Sequence, residues 1–252
     1  MKNEIGEINY NAFGSEMILI NYNSYRDVDV YFPKYDWTCK HNQYNNFKKG
    51  LIKCPYEPRV HGVGYIGEGK YNSKEHKRHY RTWMHMLERC YNSKFHENNS
   101  SYIKCEVFKD WLNFQNFAKW YDDNFYQLEN EVMHLDKDIL YKHNKIYSPK
   151  TCVFAPQNIN ILFIKSEKSR GDAPIGVYWD KIKNVFIAQG AIFENGKSKT
   201  VYLGRYNNPN DAFQSYKNFK ENHLKEIANL YKDRIPQKLY DALINYKVEI
   251  TD

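Results

Sequence analysis

The apolar residues of this chain change their spacing near residue 72, and no single-class fold accommodates both spacings. Upstream, DVDVYF at 27–32 alternates polar and apolar side chains strictly, which sends one set to each face of a β-strand. MILINY at 17–22 and VHGVGYIG at 60–67 read as further strands, and NNFKKG at 45–50 as a turn or short helix. Downstream, in HKRHYRTWMHMLERCYN, Tyr80, Trp83, Met84, Leu87 and Tyr91 recur three and four residues apart, which defines one apolar helical face with a basic face opposite. VFKDWLNFQNFAKWYDDN repeats that spacing through Phe108, Trp111, Leu112, Phe114, Phe117 and Trp120, an aromatic stripe that reads as core. The expected class is α+β and multidomain: a small N-terminal β module, a central helical region, and a C-terminal sheet with its own helix.

A chain of 252 residues is long enough to bury more than one core. The expected divisions are a β-rich module at 1–70, a central domain at 71–165 and a C-terminal domain at 175–252. KSEKSRGDAP at 165–174, with its charges, Gly171 and Pro174, marks the second boundary. Beyond it, GVYWDKIKNVFIAQGAIFENGKSKTVYLGRY holds three candidate strands, with turns at Lys183-Asn184 and at Glu194-Asn195-Gly196. NPNDAFQSYKNFKENHLKEIANLY then reads as a helix capped through Asn208, Pro209 or Asn210, turning Ala212, Phe213, Tyr216, Phe219, Leu224, Ile227 and Ala228 towards a sheet. IPQKLYDALINYK, 235–247, reads as a last short helix.

Composition narrows the function classes. A mean hydropathy of -0.82 and the lack of a long apolar run argue against a membrane span. Met1–Ser15 is polar, without the apolar centre of a secretion signal, so the expected location is the cytoplasm, that of the host cell if the chain is phage-encoded. The five cysteines are odd in number and never spaced CxxC, which argues against a disulfide framework and leads us to expect no structural zinc. A net charge of +7 combined with 23 Tyr, 14 Phe and 5 Trp supplies phosphate contacts and stacking faces together, and double-stranded DNA is the expected partner.

By alternation, Val177, Phe186, Ala188, Val201 and Leu203 should face the C-terminal helix. The opposite face would carry Tyr178, Ile187, Gln189, Thr200 and Tyr202, with Lys181, Lys183, Lys197, Lys199 and Arg205 around it. A three-stranded sheet of this size fits a major groove, where Gln and Arg pair with base edges and lysines hold phosphates. GVYWD, VFIAQGAI and TVYLGRYNNPNDAFQSY resemble the AP2 domain across nearly all of 175–230. That resemblance implies sheet-in-groove DNA binding through Tyr178, Lys181, Lys183, Gln189, Lys199, Tyr202 and Arg205. Tyr178, Ile187 and Gln189 stand where plant members place arginines.

The centre carries a second resemblance. TWMHMLERCYN, CEVFKDWLNFQNFAKW, LDKDI and NKIYSPKTCVFAPQNIN are similar to phage HNH-type proteins of the His-Me finger class, in which two helices precede a ββα finger. The likeness implies Mg²⁺ or Mn²⁺ held by Asp136 and Asn160, with His134, Lys137, His143 and Asn144 at the catalytic positions. Lys137 stands where active members carry histidine, and a lysine with an ordinary pKa of about 10.4 is a poor base. His134, two residues before Asp136 on the same strand face, and His143, beside Asn144 in the loop, are the possible substitutes. Three classes of function are thus open: a homing-type endonuclease, a nuclease-dead DNA-binding regulator or anti-host factor, and a protein-interaction module.

Overall fold

A computed structural model describes residues 5–164, 173–194, 197–250 and 252. The fold is mixed α+β. Its contacts divide the chain into two compact units, residues 1–123 with 145–148, and 124–144 with 149–252. Of the expected boundary at 165–174, residues 165–172 lie outside the described residues, as do Asn195 and Gly196 of the second hairpin turn.

In the first unit, β1 (Ile8–Tyr10), β2 (Glu16–Ser24), β3 (Asp27–Phe32) and β4 (Trp37–Asn42) form an antiparallel meander in chain order. The alternation of DVDVYF does its expected work, with Val28, Val30 and Phe32 all fully buried. They meet Met17 and Leu19 from β2 and Phe47 from the short helix α1 (Tyr44–Lys48). The segment 60–67 is not a strand: it holds a Val60–Gly64 bridge across a turn in which His61 and Gly62 both have positive φ. Period-2 patterning there comes from glycines, which a turn uses as readily as a strand does.

Helix α2 (Lys77–Tyr91) buries Trp83, Met86, Leu87 and Cys90, a face one position round from the expected one because Met86 replaces Met84. The short helix α3 (Ser93–Asn98) follows, and β5 (Glu106–Val107) pairs in parallel with β7 (Ile146–Tyr147). The aromatic stripe at 108–120 is split in two: Lys109–Leu112 is a 3-10 turn, and α4 (Phe114–Asn124) begins after Asn113. The cause is local, since the Asn113 side chain accepts the Gln115 N–H at 3.0 Å and so starts a new helix. The Trp83 indole donates to the Trp111 carbonyl at 2.6 Å, which satisfies the polar end of a ring otherwise packed on Phe114.

The second unit contains β6 (Met133–Asp136), β8 (Val153–Pro156), α5 (Gln157–Asn160), a three-stranded sheet of β9 (Val177–Asp180), β10 (Val185–Glu194) and β11 (Lys197–Tyr206), and helices α6 (Pro209–Leu230) and α7 (Gln237–Ile244). One helix serves two layers. The first turns of α6 place Ala212, Phe213 and Tyr216 on Val177 and Ala188 of the sheet. Its later turns place Leu224 and Ala228 in a separate core with Ile139, Val153, Ala155, Ile159 and Leu162, closed by Tyr231, Ile235, Leu239 and Leu243. Ile139, Val153, Ala155, Ile159 and Leu162 therefore share a core with the C-terminal helices, while residues 145–148 belong to the first unit.

Helix α6 starts as its sequence requires. Asn208 accepts the N–H groups of Asn210 at 2.7 Å and Asp211 at 3.3 Å, and Pro209 occupies the first turn. Asn208→Ala should lower stability by about 1 kcal/mol, visible as an earlier urea midpoint with an unchanged slope. An unaltered midpoint would assign the cap no energetic role. Among the described residues no helix is long and apolar enough to cross a membrane.

Candidate functional site

Strands β6 and β8 pair antiparallel with His134 opposite Ala155 and Asp136 opposite Val153. The pleat puts His134 and Asp136 on one side, and α5, entered through Pro156, folds back over it. Asn160 at the end of α5 places its Nδ2 3.3 Å from His134 Nδ1. Its other amide atom, Oδ1, is buried and has no hydrogen-bond partner among the described residues. A buried acceptor left open in this way suits a cation or a bound water.

Asp136 is fixed by its own loop. Its Oδ1 accepts the N–H groups of Asp138 and Ile139, both at 2.8 Å, which closes the turn leaving β6. Burial, and to a lesser degree the Asp138 carboxylate, push its carboxyl up to about 6. An acid raised by desolvation is relieved by a divalent cation, and a carboxylate with an amide oxygen is the donor chemistry that suits Mg²⁺ or Mn²⁺. The types of residue present fit such an ion; of them the structure joins Asn160 to His134, while Asp136 stands two residues from His134 on the same strand.

The other predicted positions lie apart in role. Lys137 is only 6% exposed, and its ammonium meets Asp138 Oδ2 at 2.9 Å. That burial removes the phosphate contact a lysine here could make. Asn144 donates to the Lys137 carbonyl at 2.7 Å, so it clamps the two ends of the loop together. His143, with φ 62°, is exposed and has Nε2 3.8 Å from Asp252 Oδ1. Lys142 next to it donates to Asp252 at 2.7 Å. The loop apex is thereby tied to the end of the chain, and His134 is the histidine that the structure brings to Asn160.

Two further groups of acids and histidines occur among the described residues, Asp27–Asp29–His41 and His143–Glu249–Asp252. In the first, both Asp27 oxygens and both Asp29 oxygens already accept from His41, Asn23 and Asn21. In the second, Lys142 already supplies the positive charge to Asp252.

On the sheet, β10 is central and pairs with β9 and β11. A bulge at Ala188/Gln189 sets Ala188 against Gly204 and Gln189 against Tyr202. Gly190 is required where it stands, because a Cβ there would run into the Phe219 ring of α6. The face away from α6 carries Tyr178, Gln189, Thr200, Tyr202 and Arg205, all exposed, with Lys181, Lys183 and Lys199 exposed at its margins. The side chain of Lys197 lies outside the described residues. Ile187 departs from expectation: it is on this face by register, between Tyr178 and Arg205, but is only 3% exposed. It supports its neighbours and does not itself present a reading surface. The register places Arg205 on this face opposite Ile187, near the end of the edge strand β11.

Two features are not set by periodicity. Lys137 is buried, and Ile182, on the β9–β10 turn, is 95% exposed. Only the first could have been suspected, from the acid that follows it. Comparison of the chain with protein-family models, with curated proteins and with solved structures finds no match in any of the three.

Proposed function

We propose that this protein binds duplex DNA through the open face of its C-terminal sheet and hydrolyses a phosphodiester at the finger with a divalent cation. The single observation that carries the reading is the contact of Asn160 with His134, two residues from Asp136 on β6, in the unit that also presents Tyr178, Gln189, Tyr202 and Arg205 amid exposed lysines. Gln189 and Arg205 are suited to base edges, while Lys181, Lys183 and Lys199 are suited to phosphates. At the finger a bound cation would polarise the scissile phosphate and steady the leaving oxygen. The chain itself holds that ion through Asp136 and Asn160, and His134 takes the proton of the attacking water. This is the arrangement that the HNH and AP2 resemblances imply, with His134 in the place of the missing histidine at Lys137.

A second reading is favoured by one observation, the burial of Lys137 against Asp138. A finger that kept its loop through Asn144 and lost its base would position DNA without cutting it, as a regulator or an anti-host factor would. Plasmid incubated with the protein and Mg²⁺, Mn²⁺ or chelator separates the two. Metal-dependent nicks are the expected result; retarded but intact plasmid would establish the second reading in its place.

The electrostatic part has its own test. Three lysines on phosphates give a salt slope near -2.7, so affinity should fall about 40-fold between 50 and 200 mM salt. Replacing Lys181, Lys183 and Lys199 together by Ala should remove most of that dependence. Affinity that is indifferent to salt in the intact protein would favour a protein partner for the aromatic face.

A further inference from the structure

Ile182 is the most exposed of the large apolar residues on the described surface, at 95% against 69% for Ile164, the next. It adds nothing to the core, yet it is held firmly. Asp180 Oδ1 accepts the N–H groups of Ile182 at 3.0 Å and Lys183 at 3.1 Å, and the Asn184 N–H returns to the Asp180 carbonyl at 2.8 Å. Asn184 completes the turn in the left-handed region with φ 55°. A rigid hairpin tip thus presents a bare aliphatic side chain between two exposed lysines, Lys181 and Lys183.

The flanking charges select the partner. Lysines on either side of an apolar tip draw it to phosphates, and between the phosphate ridges of a major groove the aliphatic group available is the C5-methyl of thymine. The groove is about 12 Å wide and admits a two-stranded ribbon. We propose that Ile182 is a base-reading residue that packs on a thymine methyl in the major groove of the DNA held by the sheet. This rests on the DNA-binding reading and adds to it a specific base and a specific atom. It also supplies sequence preference at a place where Ile187 supplies none.

The test uses the full chain. Sites are first enriched from a random duplex pool with the wild-type protein and with Ile182→Ser, a change that cannot disturb packing at a side chain so exposed. The wild type is expected to enrich thymine at one position that the variant leaves unselected. Thymine at that position is then replaced by uracil, which deletes the methyl and preserves every hydrogen bond. Wild-type affinity should fall about fourfold, the worth of one buried methyl group, and the variant should be unaffected. An unchanged base preference in the variant, or wild-type indifference to uracil, overturns the role of Ile182 while DNA binding stands. If the wild type retards no duplex at any salt concentration, the DNA-binding reading itself fails and this inference falls with it.

Discussion

Asp136→Ala is expected to abolish the protein's response to Mg²⁺ and Mn²⁺ and to lower metal-dependent nicking at least a hundredfold, with DNA retardation retained. The reason is concentrated in one carboxyl. Asp136 carries the negative charge of the proposed donor set, and Asn160 Oδ1, a neutral oxygen, cannot hold the ion alone. The pH dependence follows from its environment. Burial and Asp138 raise this carboxyl to about 6, so protons compete with the cation and metal binding should weaken as pH falls through that value. Without metal the linkage runs the other way. An acid whose folded pKa lies above its unfolded value of about 3.9 destabilises the fold above pH 6, and that penalty fades as pH falls from 6 towards 4. Asp136→Asn should therefore raise metal-free stability at pH 7.5 by on the order of 2 kcal/mol while abolishing any gain from Mg²⁺. Thermal unfolding at pH 5 and pH 7.5, with chelator and with metal, reads all of these effects. A metal-induced shift of equal size in wild type and Asp136→Ala would remove Asp136 from the site.

Leu224→Ala is expected to cost about 2–5 kcal/mol, because a fully buried side chain leaves a cavity that its neighbours fill only in part. That is a large share of the roughly 5–15 kcal/mol by which domains are stable. The loss should also be selective in function. Leu224 lies on the part of α6 that packs with Val153, Ala155, Ile159 and Leu162, whereas Ala212, Phe213 and Tyr216 cover the sheet. The metal response should weaken before DNA retardation does. Urea denaturation together with a gel-shift titration checks both halves, and a midpoint shift worth under 1 kcal/mol would show that the finger does not depend on this core.

Much of the local structure is legible along the chain. Strict alternation in DVDVYF makes β3 and says which of its residues are buried, because a strand's two faces are set by parity alone. The Asn208-Pro209 pair starts α6, since both the capping oxygen and the fixed φ act within one turn. Legibility failed where short-range signals had two uses, as with the glycines of 60–67, or where an asparagine could restart a helix, as Asn113 does.

The candidate site divides in the same way. That Asp136 closes β6 and that His134 shares its face follow from two-residue periodicity, and the chain order of hairpin and α5 lets Asn160 return to His134. The burial of Lys137 and Ile187 depends on what lies over them, and parity does not carry that information. Nor does the sequence say that Ile139, Val153, Ala155, Ile159 and Leu162 share their core with Leu224, Leu239 and Leu243, which are far away along the chain. The elements, their caps and the facing of each strand were readable from the chain alone, because those depend on neighbours within one turn or one pleat. Which histidine meets Asn160, which lysine is withdrawn from solvent, and the backing of both finger and sheet by one helix were settled by long-range packing, because burial depends on whichever distant segment comes back to cover a face.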